Sequence, residues 1–186
     1  MSDGSPRDHL LQRATSHLAQ HGIGDASLRT IATALGTSHR MLIYHFGSRD
    51  GLLAAVVERL QRDQQAILDQ LVLRTEGELS DAAWRFWTAM VDADAVGPLL
   101  FELSAPAMRG AAWADTFRAS SAAWTSHLTA LQIESGQPAE SAESTAKMTM
   151  ALVRGALWEL GITGDRSAAD ATVRAFLERY WSARPE

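Results

Sequence analysis

Between Ser27 and Arg49 the chain gathers side chains suited to nucleic acid. Ser38, His39, Arg40 and Met41 stand in a row, and their types match base edges in a major groove. A guanidinium can fork onto a guanine edge, and a thioether can pack on a thymine methyl. Arg40 has a second simple use, a phosphate contact, and Arg29 is a further candidate for a base or the backbone. Around them Ser27, Thr37, Tyr44, His45 and Arg49 offer hydroxyl, imidazole and guanidinium groups for phosphate oxygens. Arg49 would do so at a helix N-terminus, where the dipole also favours an anion.

Such side chains read DNA only if a helix presents them, and the flanking pattern supplies one. Leu10, Leu11, Ala14 and Leu18 recur at helical spacing, and Gly22 with the apolar Ile23 closes this first helix. Ser27 is a suitable cap for a second, with Leu28, Ile31, Ala32 and Leu35 on one face. Gly36 then ends it, and Thr37 or Ser38 can cap a third within a few residues. Leu42 and Phe46, four apart, would pin that third helix to the core and leave Ser38, His39, Arg40, Met41 and Tyr44 on its other faces. Gly47 breaks it, Ser48 can cap the next, and Leu52, Leu53, Val56, Val57 and Leu60 carry an apolar stripe on towards Arg74. Two short helices around a glycine turn form a helix-turn-helix signature, and Ser38 to Met41 open its reading helix.

These residues resemble the tetracycline-repressor (TetR) family of bacterial transcription regulators over about Leu10 to Leu53. The resemblance is carried by the run Ile31 to Gly36, by Ser38, and above all by Leu42, Tyr44, His45, Phe46, Ser48, Arg49 and Leu52. It implies an all-α protein of about nine helices: a three-helix head over residues 1–50 and a helical effector-binding and dimerisation body over 51–186. It also implies no enzyme and no cofactor, but a homodimeric regulator, a repressor more readily than an activator, that leaves a double-stranded DNA operator when a hydrophobic small molecule binds. Two positions depart from the family pattern. Ile43 stands where a phosphate-touching tyrosine is frequent, and Arg40 where a small residue is common, so the operator cannot be borrowed from relatives.

The net charge of −5 looks wrong for a DNA binder until it is divided by position. Through Arg62, seven arginines face five acids, a balance of +2; beyond it, ten basic residues face seventeen acids, a balance of −7. A weakly basic head on an acidic body would repel DNA except at the reading surface. With no cysteine, disulfides, thiolate catalysis and cysteine zinc sites are excluded. No apolar run approaches the roughly 20 residues that span a membrane, and the N-terminus lacks a signal peptide's apolar region, so the expected location is cytoplasmic. His17 and His21 lie four apart but find no third ligand, so no metal site is assigned. Gly-rich phosphate loops, nucleophile elbows and HExxH are missing, and Asp92, Asp94 and Glu102 are spaced like carboxylates on a solvated helix surface.

The body reads as further helices: one capped by Ser80, a break at Gly97 and Pro98, a short apolar segment before Pro106, and a long helix carrying Trp113 and ending at Gly136. After a loop-like stretch QPAESAEST, two last helices run from about Ala142 to Leu160 and from Ser167 to Ala183. By the resemblance, Trp84, Trp87, Met90, Phe101, Met108, Trp113, Phe117 and Trp124 come from segments that surround the effector, although any one of them could equally be plain core. Val173, Phe176, Leu177, Tyr180 and Trp181 form a stripe that, with Gly155 on the preceding helix, suits a dimer interface or packing inside one chain. The alternative reading is a helical small-molecule carrier or enzyme with a vestigial head.

Overall fold

The computed structural model describes residues 5–24, 27–93 and 96–181, and these form nine α-helices with no strand among them. In order they are α1 (Pro6–His21), α2 (Leu28–Ala34), α3 (His39–Phe46), α4 (Arg49–Arg74), α5 (Leu79–Asp92), α6 (Val96–Met108), α7 (Ala114–Glu134), α8 (Ala139–Thr163) and α9 (Arg166–Tyr180). The chain packs as two compact units, Met1–Arg62 with Pro98–Ser120, and Asp63–Gly97 with Ser121–Glu186. No helix among the described residues is long and apolar enough to cross a membrane.

In the first unit the helix starts are set by short polar caps. Ser5 and Asp8 bond reciprocally at the start of α1, the Asp8 carboxylate accepting the Ser5 N–H and the Ser5 hydroxyl accepting the Asp8 N–H. Ser27 accepts the Thr30 N–H, Ser38 the Met41 N–H and Ser48 the Gly51 N–H, at 3.2, 3.2 and 3.0 Å. Gly36 turns the chain between α2 and α3 at φ +60°, a conformation that any side chain would strain. Inside, Leu11, Ala14 and Leu18 of α1, Leu28 and Ile31 of α2, Leu42 and Phe46 of α3, and Leu52, Leu53 and Val56 of α4 are all buried. Each fully buried leucine contributes about 1.5 to 3 kcal/mol. Leu99, Leu103 and Trp113 add to the core of this unit, and the Trp113 indole donates to the Leu103 carbonyl at 3.0 Å.

In the second unit α9 packs on α8 and α5. Val173, Phe176, Leu177 and Trp181 are all buried there. The indole N–H groups find acceptors: Trp181 donates to Thr149 Oγ1 at 2.9 Å and Trp87 to Asp170 Oδ1 at 2.7 Å.

Several sequence expectations for the body need correction. Gly97 and Pro98 are not themselves the break, since both lie inside α6, which also continues through Pro106. Pro98 falls in the first turn, where a missing N–H has no intrahelical acceptor to lose. Helix α5 starts after Glu78 rather than Ser80, with the Asp81 carboxylate accepting the Glu78 N–H at 3.3 Å. Most of the stretch expected to be a loop is the first part of α8, which begins right after Pro138 and continues through Gly161 to Thr163. Trp113 precedes α7 instead of riding on it. Asp94, and an α9 end at Ala183, lie outside the described residues.

Candidate nucleic-acid interface

Helix α3 has one buried edge and one open face. Leu42 is fully buried and Phe46 nearly so, while Ser38, His39, Arg40, Met41, Ile43 and Tyr44 are exposed, Tyr44 to 79%. The face that the sequence offered to bases is therefore solvent-facing along its whole length. Arg29 and Ser27 are exposed, and Thr37, His45 and Arg49 are half-buried.

The five arginines between Ser5 and Arg49 divide into two groups. Arg7 Nε donates to the His45 carbonyl at 3.4 Å and its guanidinium lies 5.2 Å from the Phe46 ring centre, bracing the end of α3. Arg13 donates to the Leu35 carbonyl at the end of α2. Arg49 donates to the carbonyls of Ile23 and Gly24, just past the end of α1, at 2.9 and 2.7 Å. A helix C-terminus has orphan carbonyls and partial negative charge, so a cation there satisfies both. Each of the first three helices thus ends on an arginine borrowed from another helix. Arg29 and Arg40 are different: both are exposed, and neither makes a hydrogen bond or ion pair through its side chain with the described residues. Those two guanidinium groups remain for an external acceptor.

Sequence reasoning missed the helix-end role of Arg7, Arg13 and Arg49, because no local pattern announces a contact 22 to 38 residues away. It also missed Glu102, read as a solvated carboxylate. Its side chain accepts the Ile23 backbone N–H at 2.6 Å. Asp92 is exposed and binds Arg166 at 2.9 Å.

The residues expected to line an effector pocket are divided between the units. Trp84, Trp87, Met90 and Trp124 lie in the second unit, and Phe101, Met108, Trp113 and Phe117 in the first. Trp87 and Trp113 are core with their indoles already bonded. Trp124 is buried beside Phe86 at 5.8 Å, and Met108 is 80% exposed. Trp84 is half-buried under the Arg174 guanidinium at 3.9 Å and lines a cavity of ≈ 420 Å³ with Glu78, Asp81, Leu177 and Glu178. In the second unit Gln132 is 1% exposed with neither amide atom hydrogen-bonded.

Of the residues expected at a dimer interface, Val173, Phe176, Leu177 and Trp181 are buried by their own chain, whereas Gly155 and Tyr180 are exposed. The apolar surface left open on α8 is another stripe, Met148, Ala151, Leu152, Gly155, Trp158 and Ile162, with Trp158 51% and Ile162 69% exposed. Beside it a groove of ≈ 450 Å³ runs between α8 and α9, lined by Leu152, Gly155, Ala168 and Thr172 among others.

A short helix with capped start, pinned edge and open face, joined by a glycine turn to a supporting helix, has the geometry of a DNA-binding helix-turn-helix. Residues 10–56, the helix-turn-helix and the start of α4, match the family model described as bacterial regulatory proteins, tetR family. No curated protein matches the chain in sequence. Among solved structures, a TetR transcriptional regulator from Legionella pneumophila is 20% identical, with 96% of this chain and 98% of that one covered at a TM-score of 0.77. A putative TetR-family regulator from a Rhodococcus species is 22% identical over 95% and 98% at 0.78. The multidrug binding protein EbrR, solved with imidazole, is 22% identical over 99% and 94% at 0.70. At these identities the likeness is one of fold.

Proposed function

We propose that the protein is a TetR-type transcription regulator, a repressor that binds a palindromic operator as a homodimer in the cytoplasm and leaves it when a hydrophobic small molecule occupies the body. The observation that carries the DNA-reading half is the open face of α3 together with the two unengaged guanidinium groups, Arg29 and Arg40. Ser38, His39, Arg40, Met41 and Arg29 are the proposed base contacts, and Ser27, Thr37, Tyr44, His45 and Arg49 the proposed phosphate contacts. Functionally the division falls near residue 50, where the reading residues end.

Dimerisation follows from reach. One eight-residue helix touches too few bases for a unique site, whereas two related by a two-fold axis read half-sites about 34 to 36 Å apart. The pairing face proposed is the open stripe of α8, with Gly155 and Tyr180 retained from the sequence expectation. The effector reading is supported by the tryptophan-rich body and by Gln132, whose unpaired amide would orient a ligand carrying both a donor and an acceptor. A neighbour in fold being a multidrug binding protein agrees with a hydrophobic effector.

The test is selection of duplexes from a random pool by the full-length protein, followed by gel shifts at two salt concentrations. The expected product is a two-fold symmetric site bound with steep salt dependence. Absence of any selective, salt-sensitive shift would favour the alternative, a small-molecule carrier with a vestigial head. A thermal-shift screen of hydrophobic compounds tests the effector half separately.

A further inference from the structure

The loop between α1 and α2 is held by two side chains of opposite charge from elsewhere in the same compact unit. The Glu102 carboxylate of α6 accepts the Ile23 backbone N–H at 2.6 Å, short for an N–H···O bond and typical of a charge-assisted one. From the start of α4, Arg49 donates to the carbonyl of the same residue at 2.9 Å and to that of Gly24 at 2.7 Å. The backbone of Ile23 is therefore clasped at its N–H by an acid and at its C=O by a base.

The preceding residue is shaped to admit the acid. Gly22 has φ +78°, and a Cβ added there would lie 2.9 Å from one Glu102 oxygen and 3.0 Å from the other. A larger residue would be strained and would push the carboxylate away. The Ile23 side chain is 8% exposed, so displacing the loop also disturbs the core. On the other side of the clasp, α6 is anchored by Leu99 and Leu103, both buried, and by the Trp113 indole on the Leu103 carbonyl. Four residues past Ile23, Ser27 caps α2, which the Gly36 turn joins to α3. The Ile23 peptide thus stands in the chain between the end of α1 and the cap of α2.

We propose that Glu102 is a positioning residue for DNA reading: by clasping the Ile23 peptide it sets the orientation of α2 and α3. The proposal rests on the DNA-reading function above and adds to it a residue on α6, outside the head's own helices.

The test uses full-length protein and the duplex that the wild type selects. Glu102→Ala should raise hydrogen exchange at the Ile23 amide about tenfold and extend the increase into α2 and α3, with α1 unchanged. Operator affinity should fall about tenfold while the chain stays folded with only a modest drop in melting temperature, Glu102 itself being exposed. Glu102→Gln, which keeps a neutral acceptor, should recover most of both. Unchanged exchange at Ile23 in Glu102→Ala overturns the clasp. Raised exchange with unchanged affinity and base discrimination overturns the positioning role and leaves a local cap. If the wild type selects no duplex, the DNA-reading proposal fails, and exchange across α2 and α3 still decides whether Glu102 orients them.

Discussion

Arginine does different work in the three-helix head, residues 5–49, and in the second compact unit. In the first, Arg7, Arg13 and Arg49 end on backbone carbonyls at the close of α3, α2 and α1. A carbonyl bears only partial charge, so these bonds organise the helices without neutralising the guanidinium groups. In the second, Arg166 sits between Asp92 and Asp170, Arg174 covers the Trp84 ring, and Arg154 donates to the Ser121 hydroxyl. There the Arg166 charge is matched by acids, which raise its pKa further above its ordinary value, Asp92 foremost. A chain of net charge −5 can thus keep a basic reading end, because the same residue type supports structure at one end and balances acids at the other.

The largest predicted effects separate apolar packing from apolar exposure within the second unit. Phe176→Ala should cost about 3 to 5 kcal/mol in chemical denaturation, since the ring is buried by its own chain. Trp158→Asp, on the open stripe, should leave protomer stability nearly unchanged and convert a dimer to a monomer in sedimentation. A Phe176→Ala protein of wild-type stability that sediments as a monomer would reverse the two assignments.

Next comes the unengaged guanidinium. If Arg40 reads a guanine, Arg40→Ala should lose roughly 1 to 3 kcal/mol of discrimination at one base position, measured by competition among single-substitution duplexes. Uniform weakening across all duplexes would instead assign Arg40 to a phosphate. The contrast between the units is then tested by a matched pair. Arg13→Ala removes a helix-end bond and should destabilise by about 1 to 2 kcal/mol, whereas Arg166→Ala removes solvent-screened ion pairs to Asp92 and Asp170 and should cost less. Equal losses would erase the distinction between the two uses of arginine.

The head was readable because its signals are local. Serine caps act over three residues, glycine ends a helix where it stands, and Leu42 with Phe46 fixes which face of α3 is inside. The body was less readable because the deciding contacts are distant or degenerate. The α9 stripe suits a partner subunit or its own chain equally well, and only the positions of α5 and α8 show that Val173, Phe176, Leu177 and Trp181 are used within one chain. Pro98 misled for a related reason: the sequence shows a missing donor but not whether the helix position needs it, and Pro98 falls in the first turn of α6. Glu102 looks like any surface acid until the fold brings Ile23 to it across 79 residues.

The smallest effect again divides the units, this time by pH. Five of the six histidines precede Arg62, whereas His127 lies in the second unit with Nε2 3.0 Å from Asp69. Within the first, His17 stacks on His21 with ring centres 4.4 Å apart. Burial, and secondarily the charge on His21, hold its pKa below the ordinary 6.5. A lowered value means that the folded chain resists a proton which the unfolded chain accepts. Stability from this group is therefore complete above 6.5 and declines as pH falls through the depressed folded-state value. His17→Gln should shrink the difference in melting temperature between about pH 8 and about pH 5 and leave the high-pH value nearly unchanged. An identical pH dependence in His17→Gln would move the acid sensitivity of this unit to another histidine.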